Sequence, residues 1–218
     1  MSNETTSKTR TVRAALETDT QFGAVVPPIH LTSTFAFSGF GEKRTYDYSR
    51  SGNPTRDALA GALAELEGGV GAVVTSSGMG AVSLVSQIFR PGQVVVVPHD
   101  CYGGTYRLFN ALRERGSLDV RFVDFQQPAA LDAAMSQRPA LVWVETPSNP
   151  LLRIVDIAAV AAAAHAVGAL VVADNTFLSP VWQQPIALGA DAVVHSTTKY
   201  LNGHSDVVGG AVIAARPD

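Results

Sequence analysis

From Thr55 onward the chain alternates short apolar runs with segments of helical spacing, and this alternation narrows the folds open to it. Gln93–Val97, Val120–Val123, Leu141–Glu145, Leu170–Asp174 and Ala192–His195 read as strands. So do Gly71–Thr75 before them and Gly209–Ala214 after them. Between them, Arg56–Glu67, Gly78–Phe89, Gly104–Arg115, Pro128–Ser136 and Asp156–Val167 have the spacing of helices. Glycines follow several of these at the expected stop, and Asp156 stands as an N-cap. Nearly continuous apolar strands must be covered on both faces, so the pattern predicts an α/β fold: a mostly parallel sheet with helices on both sides. In such sheets ligands gather at the carboxyl ends of the strands. Polar residues collect at those ends: Ser76-Ser77, His99-Asp100, Glu145-Thr146, Asp174-Asn175 and Ser196 to Thr198. No internal repeat is visible.

Residues 1–55 differ. They are rich in Thr, Ser, Pro and Gly and carry Phe22, Phe35, Phe37, Phe40, Tyr46 and Tyr48. The expected division is an extended arm, 1–55, packed against something else, and one large domain, 56–218. A disordered tail is the competing reading of the arm, and its aromatics argue against that. With 46% apolar and 16% charged residues the chain can bury a core. A single cysteine, Cys101, excludes an intramolecular disulfide framework and a cysteine-based zinc site, and suits a reducing, cytoplasmic setting. The polar stretch Met1 to Arg10 lacks the apolar region of a secretory signal. No apolar run reaches about 18 residues, so no membrane span is expected. A net charge of −3 with no basic block gives no reason to expect nucleic acid.

The chemistry concentrates at two strand ends. Lys199 follows the apolar run Asp191-Ala192-Val193-Val194 through His195-Ser196-Thr197-Thr198, and Asp174 ends the run Ala169 to Ala173. A lysine and an aspartate at neighbouring buried strand ends suit pyridoxal phosphate. Its aldehyde needs an amine for a Schiff base, and its ring nitrogen needs a carboxylate to stay protonated. The hydroxyls of Ser196 and Thr198 suit its phosphate. So does the turn Ser77-Gly78-Met79-Gly80, where glycines let backbone N–H groups approach an anion at a helix start. That turn also partly matches a dinucleotide fingerprint, but Ser83 stands at the third small position and no acid ends the next strand. A plain structural turn, a surface role for Lys199 and a loop cap at Asp174 are the competing readings. Tyr102 reads as a ring stacked on a flat cofactor or as a core residue. Arg107 reads as a contact for an anionic substrate group or as a solvated helix residue. His30, His99, His165, His195 and His204 lack metal-ligand spacing, and Cys101 reads as structural.

At these residues the chain resembles the Cys/Met-metabolism family of pyridoxal-phosphate enzymes. The resemblance runs from Gly23-Ala24-Val25-Val26-Pro27-Pro28-Ile29 to Gly210. It rests on the blocks Tyr46 to Thr55 (YDYSRSGNPT), Ser77-Gly78-Met79, Tyr102 to Arg107 (YGGTYR), Glu145 to Pro150 (ETPSNP), Asp174-Asn175-Thr176 and Ser196 to Tyr200 (STTKY). Within the family, Asp100 to Gly104 and Tyr200 to Asp206 are most similar to the bacterial cystathionine gamma-synthase branch.

The resemblance implies the fold type I, aspartate-aminotransferase-like large domain, with a smaller C-terminal domain absent after Arg216-Pro217-Asp218. It implies that Lys199 binds the cofactor aldehyde and shuttles protons, and that Asp174 pairs with the ring nitrogen. Tyr102 is implied to stack on the ring and share in proton transfer. Gly78 and Met79, with Ser196 and Thr198, are implied to hold the phosphate, and Asn149 to lie near the ring hydroxyl. Tyr48 and Arg50 are implied to reach a neighbouring subunit's cofactor, with Tyr48 also near substrate. That assembly is a homotetramer built of dimers that share active sites. The implied activity is gamma-replacement on an O-succinyl- or O-acetylhomoserine by cysteine, giving cystathionine for methionine biosynthesis. Cystathionine gamma-lyase and O-acetylhomoserine sulfhydrylase are the alternatives, and a fragment inactive on its own is another. Gly104 stands where methionine gamma-lyases usually carry cysteine, which weighs against that lyase.

Overall fold

The computed structural model describes residues 7–217. The outermost residues of the two expected units, and Met1 to residue 6 of the polar N-terminal stretch, lie outside them. Seven strands form one sheet: β1 (Gly71–Thr75), β2 (Val94–Pro98), β3 (Asp119–Val123), β4 (Leu141–Glu145), β5 (Leu170–Asp174), β6 (Ala192–His195) and β7 (Gly210–Ala214). Their order across the sheet is β1-β7-β6-β5-β4-β2-β3. β2 to β6 pair in parallel, whereas β7 is inserted antiparallel between β1 and β6. The sheet is thus mostly parallel, as its apolar strands require.

Each valine-rich strand divides its side chains between two cores. Val95, Val97, Leu141, Trp143 and Val172 pack with Phe109 under α3 (Gly78–Ser86) and α4 (Gly103–Glu114). Val96, Val142, Val144, Val171 and Ala173 pack on the opposite face under α5 (Pro128–Met135) and α6 (Ile157–Ala166). Neighbouring residues of one strand point to opposite sides, so a continuous apolar run serves both layers. A third, smaller cluster seats α2 (Pro54–Glu67) through Leu63 and Ala64 on Val193, Ala211 and Ile213.

Local chemistry sets the helix ends. Asn53 caps α2 by accepting the Thr55 N–H, with Pro54 at the first helical position, so the helix opens two residues before its expected start. Asp156 caps α6 by accepting the Ala159 N–H at 3.0 Å. α3 stops at Ser86, short of the expected Phe89, which still packs against the core from beyond the helix. Three short elements were not foreseen: α1 (Ser7–Arg13), α7 (Ser179–Trp182) and a 3₁₀ turn at Pro185–Leu188. No helix among the described residues is long and apolar enough to cross a membrane.

Candidate cofactor site

The carboxyl ends of β2, β4, β5 and β6 share one edge of the sheet. The antiparallel β7 brings its beginning, Gly210, to the same edge opposite Thr75 at the end of β1. A cavity of about 720 Å³ opens there, lined among others by Gly78, Met79, Tyr102, Asn149, Asp174 and Lys199. Ser196, Thr198 and Glu145 also line it.

One wall is the start of α3. Ser77 caps it by accepting the Gly80 N–H at 3.0 Å, and Ala81 N–H opens the helical ladder on Ser77 O. The first-turn amides of Gly78 and Met79 lie outside that ladder and suit an anion. Close approach dictates the glycine: a Cβ on Gly78 would come within 2.5 Å of Ser196 Cβ and 2.9 Å of its Cα. The helix start is thereby pressed against the strand end that leads to Lys199. On the other side, a Cβ on Gly210 would overlap the Ser77 carbonyl, so β7 closes the turn from behind. The Thr198 hydroxyl accepts the Gly209 N–H at 3.1 Å and donates to Gly209 O at 3.2 Å.

The opposite wall is acidic. Asp174 ends β5 and accepts the Thr176 N–H at 3.0 Å. Burial pushes its carboxyl above the usual range, and the bonds from Thr176 only partly oppose this. Thr176 also ties this end to the lysine's strand, because its hydroxyl accepts the Ser196 N–H at 2.8 Å. In the strand register Glu145 sits directly beside Asp174. Burial, and then Asp174, push the Glu145 carboxyl up to about 8. Cys101 lies behind this wall, where burial and then the charge of Glu145 push its thiol up to about 12, which disfavours the thiolate form.

Behind the cavity runs a buried polar chain. His195 Nε2 lies 2.5 Å from Glu67 Oε1, which also accepts from Asn175 Nδ2 at 2.8 Å. Gln183 Nε2 then bonds Asn175 Oδ1 and the Thr146 carbonyl, both at 3.0 Å. Sequence reasoning passed over Glu67, although an acid in the last turn of a helix opposes the helix dipole and so asks for a partner. It also assigned no role to Glu145 or Thr176.

Of the residues expected to serve chemistry, eight meet on this cavity: Lys199, Asp174, Tyr102, Gly78, Met79, Asn149, Ser196 and Thr198. Arg107, Tyr48 and Arg50 are not among its lining residues. Arg107 is exposed on α4, and Arg50 stacks over the Tyr48 ring at 5.1 Å in the N-terminal arm. His99, just after β2, also lies off the cavity lining and contacts the Val123 carbonyl. The residues present fit pyridoxal phosphate. A desolvated carboxyl gains from a protonated ring nitrogen, a helix start receives a phosphate, and a primary amine opens onto the same space.

A family model described as "Cys/Met metabolism PLP-dependent enzyme" matches residues 8–218. Over 208 residues the chain is 62% identical to the cystathionine gamma-synthase of Escherichia coli (strain K12), covering 95% of this chain and 54% of that protein. The crystal structure of a cystathionine gamma synthase from Xanthomonas oryzae pv. oryzae, in complex with aminoacrylate and cysteine, superposes with a TM-score of 0.96 at 59% identity, covering 98% of this chain and 55% of that one. A cystathionine gamma-lyase structure from Micromonospora echinospora gives 0.92 at 46% identity, covering 98% and 56%. The chain thus spans about half the length of the proteins it matches.

Proposed function

The chain belongs to the Cys/Met-metabolism family of PLP-dependent enzymes, a family of the fold type I architecture whose cofactor is pyridoxal phosphate, and from that membership we propose that it forms the cofactor-binding part of a gamma-replacement enzyme. The reaction is condensation of an O-acylated homoserine with cysteine to give cystathionine, in the cytoplasm, as a step of methionine biosynthesis. One observation carries the reading: eight residues of the family's blocks converge on one cavity in a chain 62% identical to a cystathionine gamma-synthase.

When bound, pyridoxal phosphate supplies an aldehyde that captures amines and a protonated ring that accepts electrons. Lys199 would hold that aldehyde through its Nζ, and its free amine would move protons between adjacent substrate carbons. Asp174 keeps a proton on the ring nitrogen. Gly78 and Met79, from the start of α3, and Ser196 and Thr198 hold the phosphate. Tyr102 would cover the ring, and Asn149 would serve its hydroxyl. Tyr48 and Arg50, exposed and away from this chain's own cavity, serve the cofactor of a second copy, with Tyr48 also meeting substrate. Arg107 meets an anionic group of the substrate. The working assembly is a homotetramer of dimers that share sites, and turnover requires the further length that the relatives possess.

A gamma-lyase is the second reading, favoured by the Micromonospora structure at a TM-score of 0.92. Product analysis separates the two, using a polypeptide of the relatives' full length that contains this chain. Cystathionine formed from an O-acylhomoserine and cysteine identifies gamma-replacement. Breakdown of cystathionine supplied alone, without formation from the ester, identifies the lyase and overturns the proposal.

A further inference from the structure

The last residue of β4 stands out because its chemistry opposes its surroundings. Glu145 is 5% exposed, lines the cavity, and is set in register beside a second, half-buried carboxyl, Asp174. Two acids placed together away from water repel each other in their charged forms. An apolar or amide side chain there would avoid the repulsion, so the carboxylate has a task that its two oxygens perform.

Both oxygens are engaged, each by one backbone amide. Glu145 Oε2 accepts the Tyr102 N–H at 2.8 Å, and Oε1 accepts the Asn149 N–H at 2.9 Å. Tyr102 is the N-cap residue of α4, and its own side chain makes no cap bond. Glu145 therefore meets the positive start of that helix from an adjacent strand. Asn149 stands four residues after Glu145, in the loop that follows β4. One side chain thus anchors two segments that are far apart in sequence, and each segment presents a residue to the cofactor.

We propose that Glu145 is a positioning residue: its two carboxyl oxygens fix the backbone of Tyr102 and of Asn149 and so set where both side chains meet the cofactor ring. The inference rests on the reading of this cavity as the pyridoxal-phosphate site. Glutamine has one carbonyl oxygen and cannot accept from both amides, and alanine accepts from neither.

The test is cofactor binding to Glu145→Gln and Glu145→Ala, read as the dissociation constant for pyridoxal phosphate and as the visible circular dichroism of the bound cofactor. Far-ultraviolet circular dichroism reports the fold. Glu145→Gln is expected to raise the dissociation constant about tenfold, the scale of leaving one buried amide without its acceptor, and to diminish the cofactor band even at saturation. Glu145→Ala is expected to exceed it. If Glu145→Ala fails to fold, Glu145→Gln decides alone. Wild-type affinity and an unchanged cofactor band in Glu145→Gln overturn the proposal, even if its melting temperature falls, because that pattern is a purely structural role. A wild-type protein that takes up no cofactor overturns the functional reading itself.

Discussion

The N-terminal arm and the rim of strand ends both carry aromatic and polar side chains, and they hold them in opposite ways. On the rim, Glu145, Asn175, His195 and Thr197 are at most 5% exposed, and the first three are fixed by helix and loop groups of their own chain. Between α1 and α2 the arm has only two isolated bridges, Thr34 with Tyr48 and Gly39 with Glu42. There Phe22 is 83% and Leu31 94% exposed, and Phe40 is fully so. The rim is positioned from within. The arm presents apolar surface that its own chain does not cover, which fits a role completed by a second copy.

The largest expected effect tests the rim. Lys199→Ala should abolish the adduct that borohydride traps between the chain and pyridoxal phosphate, read by mass spectrometry. A surviving adduct at wild-type yield would remove the lysine from its role. Next, Asp174→Ala should retain part of the cofactor binding but lose turnover by a factor on the order of 10² to 10³ in a polypeptide of the relatives' length, as removal of a fixed charge from a reacting group does. Full turnover there would assign the ring nitrogen to another partner.

A smaller pair of effects contrasts the two regions directly. Trp143→Ala, in the core beneath the rim, should lower unfolding stability by about 3–5 kcal/mol, whereas Leu31→Ala in the arm should stay within about 0.5 kcal/mol. Leu31→Asp should instead weaken self-association in sedimentation. An arm substitution that destabilises the monomer as much as the core one would erase the contrast.

The finest effect is one of slope. Glu145 is raised to about 8 from 4.5. Between those values the folded chain keeps a proton that the unfolded chain has released. The stability this contributes is complete below about pH 4.5 and is lost as pH rises through about 8. Urea midpoints of cofactor-free protein should therefore fall between about pH 4.5 and pH 8, and Glu145→Gln should flatten that fall. Parallel slopes would place the titration on another group.

Much of this architecture was legible because continuous valine runs have one stable use, a strand buried on both faces. The runs Leu141–Glu145, Leu170–Asp174 and Ala192–His195 stand where the sequence placed them. Helix ends drifted by a few residues where apolar spacing outlasts the helix, as at Phe89. α7 and the 3₁₀ turn escaped because each is four residues long with a proline in its first two positions, leaving no period to read. Lys199 and Asp174 were legible as pieces of chemistry that make little sense apart. Glu145 was not, because its meaning lies in two backbone amides, one of them 43 residues upstream. Glu67 and His195 lie 128 residues apart in sequence, beyond the reach of any local pattern.

The antiparallel seventh strand has a consequence for synthesis on the ribosome. Among the described residues β1 finds its sheet partner only in β7, with Gly71 opposite Ala214. Until that late segment emerges, the earliest strand waits at an open border, and the turn at Ser77 lacks the backing of Gly210. A nascent chain halted just after Lys199 would already carry the amine yet lack a finished seat for the phosphate. Vitamin capture would thus wait until β7 has been threaded between β1 and β6.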